Sequence, residues 1–491
     1  MSRGRKIEAQ ICAAFVIALL FIVLNSKSTS PFYNYRFIDS NIFQYIGFSL
    51  LHGKIPYVDL FDHKGILLYW INALGCIIHT EYGIVVLQVL HLTAVLIVWS
   101  KMLYLYRNVW VRNLVLVILL IGTYAYYDEG NLAEEWSLLF ISLPIMLWME
   151  TLKNKTEFGK TQSIIIGLCL GTLCLLRINN AIPILIILLW CLAEALCERK
   201  YQYVKKATAW ISLGFIILPL TACIYMFLID GIKGIETMFY AMITFNMEYA
   251  KECGMGYQVI RNNILFYSIP FIPLLFLFLF IRSEWRKIVP LFLAHLFTIM
   301  TIGGSGYHHY LLIFIPLQVA CLALLPRLKV RYLAVAIAFI VNIYLVWGSD
   351  FMHFSTQQKD IFYEAFCEVI KPIPESKRDK IWNLGGAYFA KDFMKAGLIQ
   401  QNRILLPFQL TTSERLYQEE KGKLQKVKPE YVVFATFANE KHNWHLRYRM
   451  QDNYKDSDAD YQFLTNNYRL IATAGREDGS TLYCYQLNKN K

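Results

Sequence analysis

The sequence predicts a polytopic α-helical membrane protein of about eleven transmembrane helices with a water-soluble α/β domain at its C-terminal end. Three observations predict it. Hydrophobic residues fill 56% of the 491 positions and charged residues only 17%, an imbalance that soluble globular domains do not show. Apolar runs of near-bilayer length recur until about residue 347 and then stop. Lys and Arg gather between alternate runs, which is a topology signal, so the formal charge of +12 marks no nucleic-acid partner.

The runs lie near residues 9–26, 82–100, 112–127, 132–149, 161–176, 180–197, 207–228, 264–281, 288–302, 307–325 and 331–347. Several fall short of the roughly 20 residues that a hydrocarbon core asks for, and flanking Tyr and Trp extend them into the interface. The basic clusters Arg3/Arg5/Lys6, Lys101/Arg107/Arg112, Lys153/Lys155/Lys160, Arg199/Lys200/Lys205/Lys206, Arg282/Arg286/Lys287 and Arg327/Lys329/Arg331 all fall on one side of such a bundle. The long loops at about 27–81 and 229–263 are much poorer in them. The positive-inside rule then puts the N-terminus in the cytoplasm and, with an odd number of crossings, the C-terminal domain outside. ILLYWINALGCII at Ile66–Ile78 would invert every later loop if it crossed, so it reads as an interfacial or re-entrant helix. The first run has basic residues before it and no convincing small-residue cleavage site after it, so it reads as an uncleaved signal anchor. The 11 cysteines lie mostly inside apolar runs, as Cys12, Cys169 and Cys223 do, and read as lipophilic fillers and not as a disulfide framework.

From about Phe351 the texture changes. IWNLGG, RILLPF, EYVVFATF, YRLIATA and STLYCYQL, separated by helix-compatible stretches such as 411–428, read as the strands and helices of a small α/β domain. The chain thus divides into a transmembrane core at 1–349, with its first outer loop at 27–81, and a soluble domain at 350–491.

Residues able to carry chemistry gather at the outer ends of the spans. Asp39 stands early in the first loop. It reads either as the N-cap of a helix over FQYIGFSLL or as a carboxylate at the membrane surface, with Arg36 three residues away, able to accept the proton of an attacking hydroxyl. In PYVDLFDHKG, Lys64 and His63 beside Gly65 suit a phosphate, while Asp59 and Asp62 are also what a wet turn contains. Glu134 and Glu135 open a span in GNLAEEW; carboxylates there are costly and face a polar cavity or a partner, where one would orient a base or ligate a divalent cation. Arg177, before Ile178-Asn179-Asn180, suits a phosphate or a helix end equally. Tyr307, His308 and His309 follow Gly303-Gly304-Ser305-Gly306, whose glycines allow tight curvature and whose histidines donate to anions. Lys251 and Arg261 add positive charge to the loop at 229–263.

These residues carry a resemblance. With Asp39, PYVDLFDHKGILLYWINALG, GNLAEEW, LLRINNAIP and GGSGYHHYLLIFIP, the chain resembles the GT-C type of polyprenyl-phosphate-sugar-dependent glycosyltransferases, in the bacterial branch similar to protein mannosyltransferases and aminoarabinose transferases. The resemblance covers most of residues 1–347. It implies inverting transfer of a sugar from a polyprenyl-phosphate donor to a glycan, lipid or protein acceptor of the cell envelope, at the outer face of the bacterial cytoplasmic membrane. It implies Asp39 as the base, Arg177, His308 or His309 and Lys64 as contacts of the carrier phosphate, and Ile66–Ile78 as the lining of the lipid entrance. Many relatives carry a second acid beside the first-loop Asp. Here Ser40 follows, which leaves the use of a divalent metal cation open. Competing readings are a lipid or polysaccharide transporter or flippase, expected to carry broken polar helices at midplane, and a noncatalytic envelope assembly protein.

Overall fold

The computed structural model describes residues 3–26, 39–103, 109–127, 130–253, 268–280, 284–301, 307–325, 336–337, 340, 361–406, 408–436, 457–475 and 481–488. Lipid offers the backbone no hydrogen-bond partner, so an apolar run that crosses it must satisfy its own N–H and C=O groups as a helix. The apolar runs are helical accordingly. In order come α1 (Arg3–Asn25), α2 (Asp39–Leu51), α3 (Ile66–Ile78), α4 (Gly83–Met102) and α5 (Val109–Tyr127). They continue with α6 (Ala133–Asn154), α7 (Lys160–Leu176), α8 (Ile182–Cys197), α9 (Tyr201–Phe239) and α10 (Phe245–Cys253). Helices at Ile272–Phe280, Trp285–Met300 and Ile315–Leu324 follow, the last entered through a 3₁₀ turn at His308–Phe314. Five stretches among the described residues are long and apolar enough to cross a membrane: Ile7–Asn25, Gly83–Met102, Ala133–Asn154, Ile178–Cys197 and Tyr201–Lys251. The chain is a polytopic helical membrane protein. The run expected at 331–347 lies almost wholly outside the described residues.

α6 is the most enclosed of these spans, whereas α1 and α9 leave most of their apolar side chains facing outward, where lipid is the natural solvent. Small residues join α7 to α9. A Cβ on Gly167 would stand 2.1 Å from the Ile211 carbonyl oxygen, and one on Gly214 would stand 2.3 Å from that of Ile164, the close backbone approach that membrane helices achieve with small residues.

The stretch at 229–263, expected to be a loop, is helical as far as Cys253. α9 breaks at Asp230 and Gly231, where Gly231 takes φ 61 and ψ −151, a conformation essentially reserved for glycine. The chain then runs through a π-helical turn at Tyr240–Thr244 into α10. The loop at 27–81 likewise contains α2, almost entirely buried, and α3 over the predicted residues.

Ion pairs join three of the basic segments at one end of the bundle. Lys200 reaches Glu157 at 2.8 Å and Glu198 at 2.9 Å, and Arg286 reaches Glu198 at 3.0 Å and Glu194 at 3.3 Å. The segment at 52–65 and the C-terminal unit meet elsewhere on the molecule. That unit carries a four-stranded sheet of β1 (Ile381–Asn383), β2 (Tyr431–Thr436), β3 (Tyr468–Gly475) and β4 (Thr481–Leu487) in the order β1-β2-β4-β3. β1 and β2 are parallel and the other pairs antiparallel. RILLPF, expected as a strand, does not join the sheet: Ile404 instead forms a parallel bridge with Phe61 of the first loop. Phe61 N donates to the Arg403 carbonyl at 2.9 Å, Arg403 Nε donates to the Tyr57 carbonyl at 3.0 Å, and Gln400 N donates to Tyr45 Oη at 2.7 Å.

Candidate active site

The segment before α3 ends in Asp62-His63-Lys64-Gly65, and Gly65 decides where it goes. Its N–H donates to the Leu176 carbonyl at 3.1 Å, and a Cβ there would lie 1.9 Å from the Leu175 carbonyl oxygen. A residue without a side chain therefore lets the loop touch the end of α7, one position before Arg177. The loop is held on its other side by Asn246 of α10, whose Nδ2 donates to the His63 carbonyl at 2.8 Å, and by Tyr57, whose hydroxyl donates to the Lys64 carbonyl at 2.8 Å.

Within it, His63 Nδ1 lies 3.2 Å from Asp62 Oδ1, and the Lys64 ammonium lies 3.1 Å from His63 Nε2. The Tyr69 hydroxyl donates to Asp62 Oδ2 at 2.8 Å. Burial alone would raise Asp62, but the hydrogen bond from His63, the charges of His63 and Lys64 and the bond from Tyr69 together hold it down at about 2. Burial, and next the Lys64 charge, push His63 below its ordinary value against the pull of Asp62 and of Asp39. At neutral pH the imidazole is thus neutral, with Nε2 facing Lys64. Asp39, half-buried at the first turn of α2, is near enough for its charge to act on His63.

Arg177 leaves the end of α7 and forms a buried ion pair with Glu134. Its guanidinium lies 4.0 Å over the Tyr310 ring, and His309 packs edge-on to Tyr310 with centroids 4.7 Å apart. Lys64 and His309 also act on the Glu134 charge, so the first loop, the start of α6, the end of α7 and the 3₁₀ turn converge. A cavity of about 350 Å³ opens among them, lined on the polar side by His63, Lys64, Arg177 and Tyr310 and on the apolar side by Met242 and Met247. Lys251 lines it as well.

The sequence-predicted residues divide as follows. Lys64 and Arg177 line the cavity, and Glu134 holds Arg177. Glu135 faces away from the cavity: its carboxylate receives Gln88 Nε2 at 2.8 Å, the Tyr127 hydroxyl at 2.6 Å and Asn131 N at 2.5 Å. Neighbouring positions on a helix point about 100° apart, so one carboxylate meets Arg177 and the other anchors the turn before α6. Asp39 is not in the cavity wall. Tyr307 and His308 are exposed, while His309 is buried beneath Tyr307 in a stacked pair at 5.4 Å; none of these three lines the cavity. Arg36, Arg261 and Gly303-Gly304-Ser305-Gly306 lie outside the described residues. Tyr310, Asn246 and Met242 belong to the site without having been singled out by the sequence.

A larger cavity of about 870 Å³ opens at the end carrying the basic loops, lined by Glu157, Glu194, Glu198, Lys200 and Arg286 among others. Its acids and bases are bonded to one another, which leaves little net field for a phosphate. Among the described residues no three His, Cys, Asp or Glu side chains come together as metal ligands would, and Asp62 and His63 are already engaged with Tyr69 and Lys64.

No protein-family model matches the sequence, and neither does any curated protein. The fold, by contrast, matches solved structures. The crystal structure of ArnT from Cupriavidus metallidurans bound to undecaprenyl phosphate aligns over 98% of this chain and 98% of its own, with a TM-score of 0.59 and 11% identity. The fold is of the GT-C glycosyltransferase type. The oligosaccharyltransferase of Archaeoglobus fulgidus, solved in complex with Zn and sulfate, aligns over 87% of this chain and 67% of its own, with a TM-score of 0.48 and 14% identity. The correspondence in fold with ArnT runs through both the helical bundle and the C-terminal unit.

Proposed function

We propose that this protein transfers a sugar, with inversion, from a polyprenyl-phosphate donor to an acceptor hydroxyl at the outer face of the bacterial cytoplasmic membrane, with Asp39 as the general base. In this reading about eleven helices cross, the basic loops face the cytoplasm, and the unit from about residue 350 onward lies outside. The observation that carries the proposal is the cavity of about 350 Å³ in which Lys64 and Arg177 meet an apolar wall built by α10 and the turn before it. Such a wall suits a lipid chain and the paired cations suit its phosphate. The likeness in fold to ArnT, whose structure holds undecaprenyl phosphate, supports the same reading.

The reaction is one displacement. The acceptor oxygen attacks the anomeric carbon, the bond from that carbon to the phosphate oxygen breaks, and the electron pair leaves with the phosphate. The acceptor proton passes to the Asp39 carboxylate. Charge grows on the departing phosphate, where Lys64 and Arg177 are already aimed, so they cost no reorganisation as it develops. Glu134 fixes the Arg177 fork and the Tyr310 ring supports it from beneath, while neutral His63 offers the Lys64 ammonium an acceptor that holds it toward the cavity.

Asp39→Asn keeps the shape and removes the base. A general base contributes about 10²- to 10⁴-fold, so single-turnover transfer from purified lipid-linked donor is expected to fall by at least about 100-fold while bound donor is unchanged. A rate within about threefold of wild type removes Asp39 as the base.

A further inference from the structure

We propose that Asn131 is a positioning residue for the Asp39 carboxylate, acting through Ser40, and that the buried Glu135 holds it there; this rests on Asp39 being the base. Asn131 lies in the turn between α5 and α6, fully buried, with φ 58. That left-handed conformation is one that Asn tolerates better than most residues, and a strained, buried backbone persists where its surroundings over-determine it.

They do so here. Asn131 Nδ2 donates to Ser40 Oγ at 3.0 Å and to Asn72 Oδ1 at 2.7 Å, while its Oδ1 accepts from Trp136 Nε1 at 2.9 Å and from Asn72 Nδ2 at 3.3 Å. Its backbone N–H donates to Glu135 Oε2 at 2.5 Å, and Glu135 is itself bound by Gln88 of α4 and Tyr127 of α5. One side chain thereby ties the first turn of α2 to α3 and α6.

Ser40 is the link that gives this network a consequence for chemistry. It is fully buried and next to Asp39, and its Oγ also accepts from Gln44 Nε2 at 3.3 Å. The bond from Asn131 resists rotation of the first turn of α2, and with it any change in the direction in which Asp39 leaves the helix. Ser40, the residue that stands where a second acid would pair with Asp39, is thus occupied as the acceptor of two amides. A displacement of about 1 Å at a reacting group costs on the order of 10²-fold, so fixing α2 at its first turn is a sufficient lever on turnover.

The test uses the full-length protein in membranes. Ser40→Ala removes one acceptor and leaves the Asn131–Asn72–Trp136 contacts in place. Its kcat is expected to fall by about 10- to 100-fold with the KM for lipid-linked donor unchanged. Asn131→Ala is expected to fall at least as far, and Ser40→Ala combined with Asn131→Ala no further than Asn131→Ala alone, because both remove the same bond. If Asn131→Ala does not fold, Ser40→Ala still decides. A lowered melting temperature with normal kcat per folded molecule in Ser40→Ala overturns the proposal and leaves a merely structural network. Collapse of Asp39→Asn with normal kcat in Ser40→Ala overturns the positioning alone, whereas a fully active Asp39→Asn overturns the base and the positioning together.

Discussion

Arg177→Gln separates the ion pair that Arg177 makes from the carrier contact proposed for it. Glu134 is 2% exposed, and its partner is the Arg177 guanidinium, which also lies over Tyr310 at 4.0 Å. Removing one member of a buried ion pair costs about 3–5 kcal/mol, because the other charge is left in a low dielectric. With the Arg177 side chain 21% exposed, the lower half of that range applies. Glu134→Gln combined with Arg177→Gln removes both charges together and is expected to recover most of the stability. Donor binding is expected to follow a different order. A hydrogen bond to a charged group contributes about 1.5–3 kcal/mol, so loss of the guanidinium weakens carrier binding roughly 10- to 150-fold in Arg177→Gln and equally in the double variant. Glu134→Gln, which keeps the cation, is expected to retain binding. Thermal unfolding in detergent reads the first quantity, and titration with undecaprenyl phosphate reads the second. If the double variant binds the carrier as wild type does, Arg177 is no phosphate ligand. If Arg177→Gln unfolds like wild type, the pair carries none of the stability assigned to it.

The pH dependence of the fold is expected to follow the first loop. His63 binds its proton less readily in the folded state, so stability is full above the unfolded value near 6.5 and declines as pH falls through it, and His63→Gln should remove that decline from a thermal-unfolding series. Asp62, at about 2 in the fold and about 3.9 unfolded, adds stability above about pH 4 that is lost as pH falls toward 2. Gly65→Ala is expected to lose donor turnover and thermal stability together, because its Cβ would stand 1.9 Å from the Leu175 carbonyl; a fully active, fully stable variant would show that the loop does not need that contact.

The helices were legible in the sequence because lipid imposes one simple demand, a long apolar run with its own hydrogen bonds. α3 was legible to the residue, and Lys64 and Arg177, which line the cavity, drew notice because charged groups at the ends of apolar runs are rare. Three features were not legible. Glu134 and Glu135 are chemically alike and adjacent, and only the packing of α6 decides which one meets Arg177. Arg403 and Tyr57 are 346 positions apart, and no local pattern announces that pairing. The stretch at 229–263 looked like a loop because its polar residues are scattered, yet it is helical as far as Cys253, with Asn246 of α10 on the His63 carbonyl and Lys251 lining the cavity.

The arrangement of charge at the cavity follows from its setting. A bare cation beside lipid is costly before any anion arrives, and Lys64 and Arg177 each rest on a partner they can keep. Arg177 rests on Glu134, a full charge that also orients it. Lys64 rests on His63, an imidazole that burial keeps neutral, with Asp62 behind it. The two supports are not equivalent. The His63 imidazole sets no charge of its own against the ammonium, and Asp62 acts on Lys64 from behind that ring, whereas the Glu134 carboxylate meets the guanidinium directly. In the proposed reaction Lys64 therefore supplies more of the attraction at a distance and Arg177 the geometry at contact. There that division suits a donor whose phosphate arrives along the apolar wall and gains its last negative charge as the sugar departs.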